Sequence, residues 1–326
     1  MSLHTFIQKF QNLKVDRARG VAPHKPILLL SIIDNIEGGD IQSNKIFITP
    51  EVVASFKENW SLLASDAFQP RFALPFYHLT SDKFWKLHAR EGYETAISMK
   101  GVMRNFSQLN EAIEYGEISD ELFELLSNKE SRDILRQVLL NTYFPSQKEA
   151  YFSKRGNYIK SIEEKILHQP PSEYKKEIEQ AIASKDEEEV YTRGGLFKKK
   201  VPQIYNYTCA ISGMRIDMAA DISMVDACHI IPFKISHDDT VSNGITLCPN
   251  LHRAFDRGLI SIDESYRVVV SNHFSETVES PFNLRQFEGK ELQLPRDKQL
   301  FPSLENFAWH RKYMFERWRN KTMPEP

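Results

Sequence analysis

Within the stretch "HIIPFKISHDDTVSNGITLCPNLHRAFDRG", from His229 to Gly258, four side chains have the chemistry to move a proton and hold a cation. They are His229, Asn243, His252 and Asp256. An imidazole changes protonation near neutral pH, so His229 can give or take a proton there. His252 and Asp256 stand four apart, and on a helix they project from one face and can share a metal ion. The question is whether a chain with this set cuts something or merely holds it.

The elements needed to position these side chains can be read around them. "DISMVDACHIIP" has the apolar and β-branched content of a strand that ends at Pro232. Asn243-Gly244 has turn chemistry, and "ITLC" after it is a short strand. "NLHRAFDRG" reads as a helix that Asn250 can cap and Gly258 can end. The order is strand, loop, strand, helix: a ββα unit.

From "CAISG" at Cys209 to "GLISID" at Asp263, this pattern resembles the HNH nuclease family, most closely the subgroup with a "NGITLCPNLHRAFDRG"-type second half. The resemblance implies phosphodiester hydrolysis, with His229 as the general base and Asn243 orienting that region and fixing the His229 ring. It also implies that His252 and Asp256 hold one divalent ion, Mg²⁺ or Mn²⁺, against the scissile phosphate. Such a cation offsets negative charge developing on the leaving oxygen.

Two departures from the family pattern matter. Where many members place a metal ligand immediately before the base, this chain has Cys228, and the nearest carboxylate is Asp226. A regular strand turns Asp226 and Cys228 to one face and His229 to the other, so spacing does not choose between them. A hard cation prefers the carboxylate and a softer metal the thiolate, and the expectation here is Asp226. Second, "CAIS" and "CPNL" carry one cysteine each where some relatives have Cys-x-x-Cys pairs, so a four-thiolate zinc site cannot form; Cys209 and Cys248 read as small core residues.

A small ββα nuclease contacts phosphate and reads little sequence, so something else must choose the target. Two pieces near the N-terminus, "RGVAPHKPILLL" and "RFALPFYHLTSDKFWKL", resemble the DNA sulfur-binding domain of phosphorothioate-dependent type IV restriction endonucleases. A non-bridging sulfur is larger, softer and more weakly hydrated than oxygen, so a shallow apolar cup can favour it while cations hold the backbone. The resemblance implies that His24 and Lys25 meet the modified phosphate. Leu74, Pro75 and Phe76 would form the cup, His78 would stand near it, and Arg71 and Arg104 would be further phosphate contacts. Leu74 stands where the family has a tyrosine. The alternative for Phe72, Phe76 and Tyr77 is plain packing on the face of an aromatic strand, with Pro26 only a helix-start proline.

Composition bounds the rest. With 326 residues, 41% hydrophobic and 26% charged, the chain is expected to fold as two domains of ordinary size. A net charge of −2 does not advertise nucleic-acid binding, which then needs local clustering such as Lys9, Lys14, Arg17, Arg19 and Lys25. Three cysteines argue against a disulfide framework, and neither a signal peptide nor a membrane-spanning run is recognisable, so a soluble cytoplasmic protein with no membrane partner is expected. The whole reads as an α+β protein. Residues 1–145 form a mixed DNA-reader domain, 146–200 a helical linker ending in a flexible hinge at Gly194-Gly195, and 201–326 a ββα-metal HNH nuclease domain. The expected partner is double-stranded DNA carrying phosphorothioate, and duplex cleavage suggests a homodimer. An HNH enzyme that reads another modification or plain DNA, a catalytically inactive DNA-binding regulator and an RNA-processing nuclease stay open as alternatives.

Overall fold

The computed structural model describes residues 2–18, 20–95, 105–216, 223–277, 280 and 282–316, so the expected contact Arg104 lies outside the described residues, as does Arg19. The chain divides into two compact units, Met1–Ser161 with Lys185–Thr192, and Ile162–Ser184 with Arg193–Pro326.

The first unit is built around the helix His24–Gly38, in which Ile27, Leu28, Leu29, Leu30, Ile32 and Ile33 are all buried. A helix apolar on every side must be wrapped by its neighbours, and the helices Leu3–Gln11, Pro50–Leu63, Ala73–His78 and Lys129–Tyr143 contribute to that core. Beside them lies an antiparallel sheet of β1 (Lys45–Phe47), β2 (Trp85–Ala89) and β3 (Ile113–Ile118), in the order β1-β3-β2. Side chains cap three of the unit's helices: Thr49 accepts the Val52 N–H ahead of Pro50, Ser119 accepts the Leu122 N–H, and Asn105 accepts the Gln108 N–H at the start of the helix Phe106–Ala112.

"FALPFYHLT", expected as a strand, is the helix Ala73–His78 followed by a turn of 3₁₀ helix at Leu79–Asp82. Helical spacing explains the change. Phe72, Phe76 and Leu79 recur at i, i+4 and i+7 and are all buried, and Pro75 in the first turn needs no amide partner.

The segment 146–200 also differs from expectation. It contributes the helices Lys148–Lys154, Asn157–His168, Pro171–Ala183 and Glu187–Ile204, and Gly194-Gly195 lie within the last of these. It supplies core as well: Tyr151, Ile162, Ile166, Tyr174, Ile178, Leu196 and Phe197 are buried. Narrow apolar stripes set among many charges make such helices look like solvated connectors in sequence.

In the second unit β4 (Asp226–His229) pairs antiparallel with β5 (Gly244–Leu247), with His229 opposite Gly244, and the helix Pro249–Asp256 follows. The strand, loop, strand, helix order is the expected one, although Pro249 opens the helix and Asn250 lies inside it. Gly258 ends the turn at φ +68°, where a Cβ would sit 2.1 Å from the Met314 carbonyl oxygen, so only glycine fits. A hairpin of β6 (Ile260–Ile262) and β7 (Val268–Val270) packs with the helix Leu304–His310. No helix among the described residues is long and apolar enough to cross a membrane.

Candidate active site and surface depression

β4 delivers consecutive side chains to different partners. Asp226 and Cys228 turn toward the helix Pro249–Asp256, whereas His229 turns toward Asp239 and Phe197. The His229 Nε2 lies 2.8 Å from Asp239 Oδ1, and the ring stacks on Phe197 with centroids 4.0 Å apart and planes 11° from parallel. Gly244, opposite His229 in the ladder, makes room for that stack: a Cβ there would fall 2.7 Å from Val201 and 3.0 Å from the Phe197 ring.

Asn243 is fully buried and acts on backbone. Its Oδ1 accepts the Ile231 N–H at 2.9 Å, while Nδ2 donates to the carbonyls of Ile231 (2.9 Å) and Asp238 (3.0 Å). It therefore ties together both ends of the loop running from His229 to Asp239. The expected bond from Asn243 to the imidazole is not made; the ring's partner is Asp239.

On the other side of β4, ligand atoms of Cys228, His252 and Asp256 lie within 4.8 Å of one another, so the three form a group that can hold a metal ion. His252 Nε2 is 3.5 Å from Asp256 Oδ2, as i, i+4 spacing on a helix requires, and Cys228 Sγ is 3.8 Å from Asp256 Oδ1. Asp226, the expected further ligand, lies 3.5 Å from the other ring nitrogen, Nδ1 of His252. The structure thus gathers Cys228 with His252 and Asp256, and sets Asp226 where it can orient the imidazole from behind. Burial, and then the Asp256 and Asp226 carboxylates, push the Cys228 thiol well above its ordinary range. The donor set of imidazole and carboxylate suits a divalent cation.

Cys209 and Cys248 share a thiol hydrogen bond. It lowers the Cys209 pKa and raises that of Cys248, and the Ser212 N–H also donates to Cys209 Sγ at 3.4 Å. His310 is a core residue stacked on Phe255, with Ser261 and the Phe255 carbonyl as ring partners.

In the first unit an open depression of about 390 Å³ is lined by Lys14, Val15, Asp16, Ala22, His24, Lys25, Phe68, Leu74, Pro75, His78 and Ser81. Of the expected residues, His24, Lys25, Leu74, Pro75 and His78 meet there. The helix explains which residues join: Leu74, Pro75 and His78 stand at i, i+1 and i+4 on one face. Phe76 is on the opposite face, fully buried and edge-on to Trp85, whose indole N–H bonds the Phe76 carbonyl. It is core rather than cup, contrary to the expectation. Arg71 is exposed and outside the lining, although its charge helps to lower the His24 pKa. Lys25 is buried, and its ammonium bonds Asp82 Oδ2 at 2.6 Å and Ser81 Oγ at 2.8 Å. Burial above all lowers the pKa of both His24 and His78.

Residues 3–156 match the family model of the ScoMcrA-like DNA sulfur-binding domain, and residues 209–263 match an HNH endonuclease model. The chain joins a DNA sulfur-binding domain to an HNH endonuclease domain. Among solved structures, a modification-dependent restriction endonuclease, TagI, is 24% identical over 36% of this chain and 37% of its own, with a TM-score of 0.27. The sulfur-binding domain of SprMcrA, complexed with phosphorothioated DNA, is 20% identical over 44% of this chain and 86% of its own, with a TM-score of 0.36. The sulfur-binding domain of ScoMcrA, also complexed with phosphorothioated DNA, is 20% identical over 46% of this chain and 90% of its own, with a TM-score of 0.34. The chain therefore spans little more than a third of the TagI enzyme. No curated protein matches it.

Sequence reasoning missed two residues that hold the His229 ring. Asp239 sits in "SHDDT", where nothing local distinguishes it from Asp238, whose carboxylate instead accepts the Thr240 N–H. Phe197 comes from the helix Glu187–Ile204, far upstream in sequence, and the only local trace of its approach is Gly244. In the sulfur-binding domain, the unsuspected residue is Asp82, the partner of Lys25.

Proposed function

We propose that this chain is a modification-dependent restriction endonuclease of type IV character. Its sulfur-binding domain engages phosphorothioate in duplex DNA, and its HNH domain hydrolyses phosphodiesters nearby with the help of Mg²⁺ or Mn²⁺. The observation that carries this reading is the division of labour between adjacent residues of β4: Cys228 faces the donors His252 and Asp256, and His229 faces the buried Asp239.

In the proposed reaction, the His229 Nε2–H donates to Asp239 Oδ1, which leaves Nδ1 with the free lone pair. Nδ1 takes a proton from water, the water oxygen bonds to phosphorus, and the P–O bond to the leaving sugar oxygen breaks. Phe197 keeps the ring from swinging, and Asn243 holds the loop that carries Asp239 in place. His252 and Asp256 would hold the cation, with Cys228 adjacent and Asp226 steadying the His252 ring. When bound, the cation offsets negative charge on the leaving oxygen. On the reading side, Leu74, Pro75 and Phe68 offer sulfur an apolar surface, with His24, Lys25 and His78 around it.

The enzyme is taken to act in the cytoplasm, where DNA is accessible, and to cut both strands as a dimer; gel filtration with and without DNA tests the assembly. The function is tested by incubating the protein and Mn²⁺ or Mg²⁺ with sulfur-modified, methylated and plain plasmids. Nicked or linear product from the sulfur-modified plasmid alone is expected. Equal cutting of all three would transfer the activity to an unselective nuclease, and binding without cutting under any divalent metal would leave a DNA-binding regulator.

A further inference from the structure

We propose that Asp82 determines the preference of the depression for sulfur over oxygen, an inference that rests on the sulfur-binding reading above. Lys25 is the second residue of the helix His24–Gly38 and the cation that lines the depression most deeply. Its ammonium lies 2.6 Å from Asp82 Oδ2, and the two side chains are only 8% and 4% exposed. Ser81 Oγ accepts a second bond from the same ammonium. The other carboxylate oxygen, Asp82 Oδ1, accepts the Lys14 N–H at 2.8 Å and so anchors the wall formed by Lys14, Val15 and Asp16.

The consequence is electrostatic. The remaining charged groups of the lining are Lys14 and Asp16, opposite in sign and exposed at the rim, while His24 and His78 are biased by burial toward their neutral forms. Val15, Ala22, Phe68, Leu74 and Pro75 complete the surface. The buried cation of this depression, Lys25, is thus offered to an incoming anion only in its ion-paired form. A phosphate oxygen concentrates its charge and gives up strong hydration on entry, which a neutralised ammonium does not repay. Sulfur spreads its charge and is poorly hydrated, so apolar contact suffices. A bare Lys25 ammonium would repay oxygen most and erase the difference. Asp82 prevents this by keeping Lys25 engaged.

The test is Asp82→Asn in the full chain, since the amide oxygen can still accept the Lys14 N–H. Binding is measured for two duplexes that differ only in one phosphorothioate, across a salt series. The sulfur-to-oxygen affinity ratio is expected to fall by about tenfold or more, the scale of one charge-assisted hydrogen bond, because plain-duplex affinity rises. The salt slope for the plain duplex should steepen by about one counterion, which a merely structural defect would not produce. The conservative variant Asp82→Glu keeps a carboxylate for Lys25 and should hold the ratio near that of the wild type, which separates loss of the ion pair from a folding defect. A parallel loss of both affinities in Asp82→Asn with an unchanged ratio overturns the proposal, as does a ratio in Asp82→Glu as low as that in Asp82→Asn. If the wild type itself binds the two duplexes equally, the sulfur-binding reading fails first.

Discussion

The imidazole of His229 is held at Nε2 by Asp239, 2.8 Å away, through a carboxylate that is 1% exposed against 21% for the ring. A buried acceptor in that position selects the tautomer whose basic nitrogen is Nδ1 and keeps the ring from turning. Replacing it with asparagine offers Nε2 either a donor or a weaker acceptor. Asp239→Asn is therefore expected to slow single-turnover nicking by about a hundredfold, with phosphorothioate-duplex binding unchanged. Unaltered nicking would show that the pair is not needed for proton transfer.

Phe197 is fully buried and forms the face against which His229 lies flat. Phe197→Ala leaves a cavity beside the ring and should cost about 3–5 kcal/mol in chemical denaturation. Nicking should fall by more than the folded fraction accounts for, because the imidazole is freed as well. Nicking that tracks only the folded fraction would make Phe197 a packing residue and nothing more.

His252→Ala and Asp256→Ala each remove a donor from the proposed cation site, and cleavage in Mg²⁺ should drop by at least about a hundredfold in each. Cys228→Ser is expected to stay within about tenfold of wild type in Mg²⁺, since a hard cation prefers oxygen to sulfur. A defect in Cys228→Ser as deep as that in His252→Ala would instead assign the sulfur as a ligand. All three variants should still bind sulfur-modified duplex, as the reader residues are untouched.

His24 packs against Trp60, with ring centroids 4.7 Å apart, and bonds the Gln69 carbonyl through Nε2 at 3.0 Å. Burial, the largest influence, holds its pKa below the ordinary 6.5; the backbone bond opposes this and Arg71 adds to it. Between the ordinary and the lowered value the unfolded chain binds a proton that the folded chain does not, so stability declines as pH falls through that window and levels off below it. Thermal unfolding followed from about pH 8 to about pH 5 should show this decline, and His24→Gln should lessen it. An identical pH dependence in His24→Gln would remove the residue from the account.

How much of this was legible depends on how local each signal is. The ββα order around His229 can be read because turn chemistry at Asn243-Gly244, a strand of β-branched residues and helical spacing of His252 and Asp256 all lie within one stretch. Thr49 and Ser119 announce their helices by side-chain chemistry alone. "FALPFYHLT" misleads because aromatic composition suggests a strand, while its phase, Phe72 with Phe76 and Leu79, is helical. Asp239, Phe197 and Asp82 are fixed by tertiary partners, and no periodicity distinguishes them from ordinary loop, helix and turn residues. Nor does the charged surface of 171–183 disclose that Tyr174 and Ile178 are interior.

The short helix Ala73–His78 divides two tasks between its faces: Phe76, with Phe72 and Leu79 beside the helix, grips the interior, while Leu74 and His78 face the depression. On the proposed reading, substitutions at positions 74 and 78 would alter the chemical mark being sensed while Phe72, Phe76 and Leu79 go on gripping the interior. The recognition surface would then be open to exchange of a few residues on an unchanged framework.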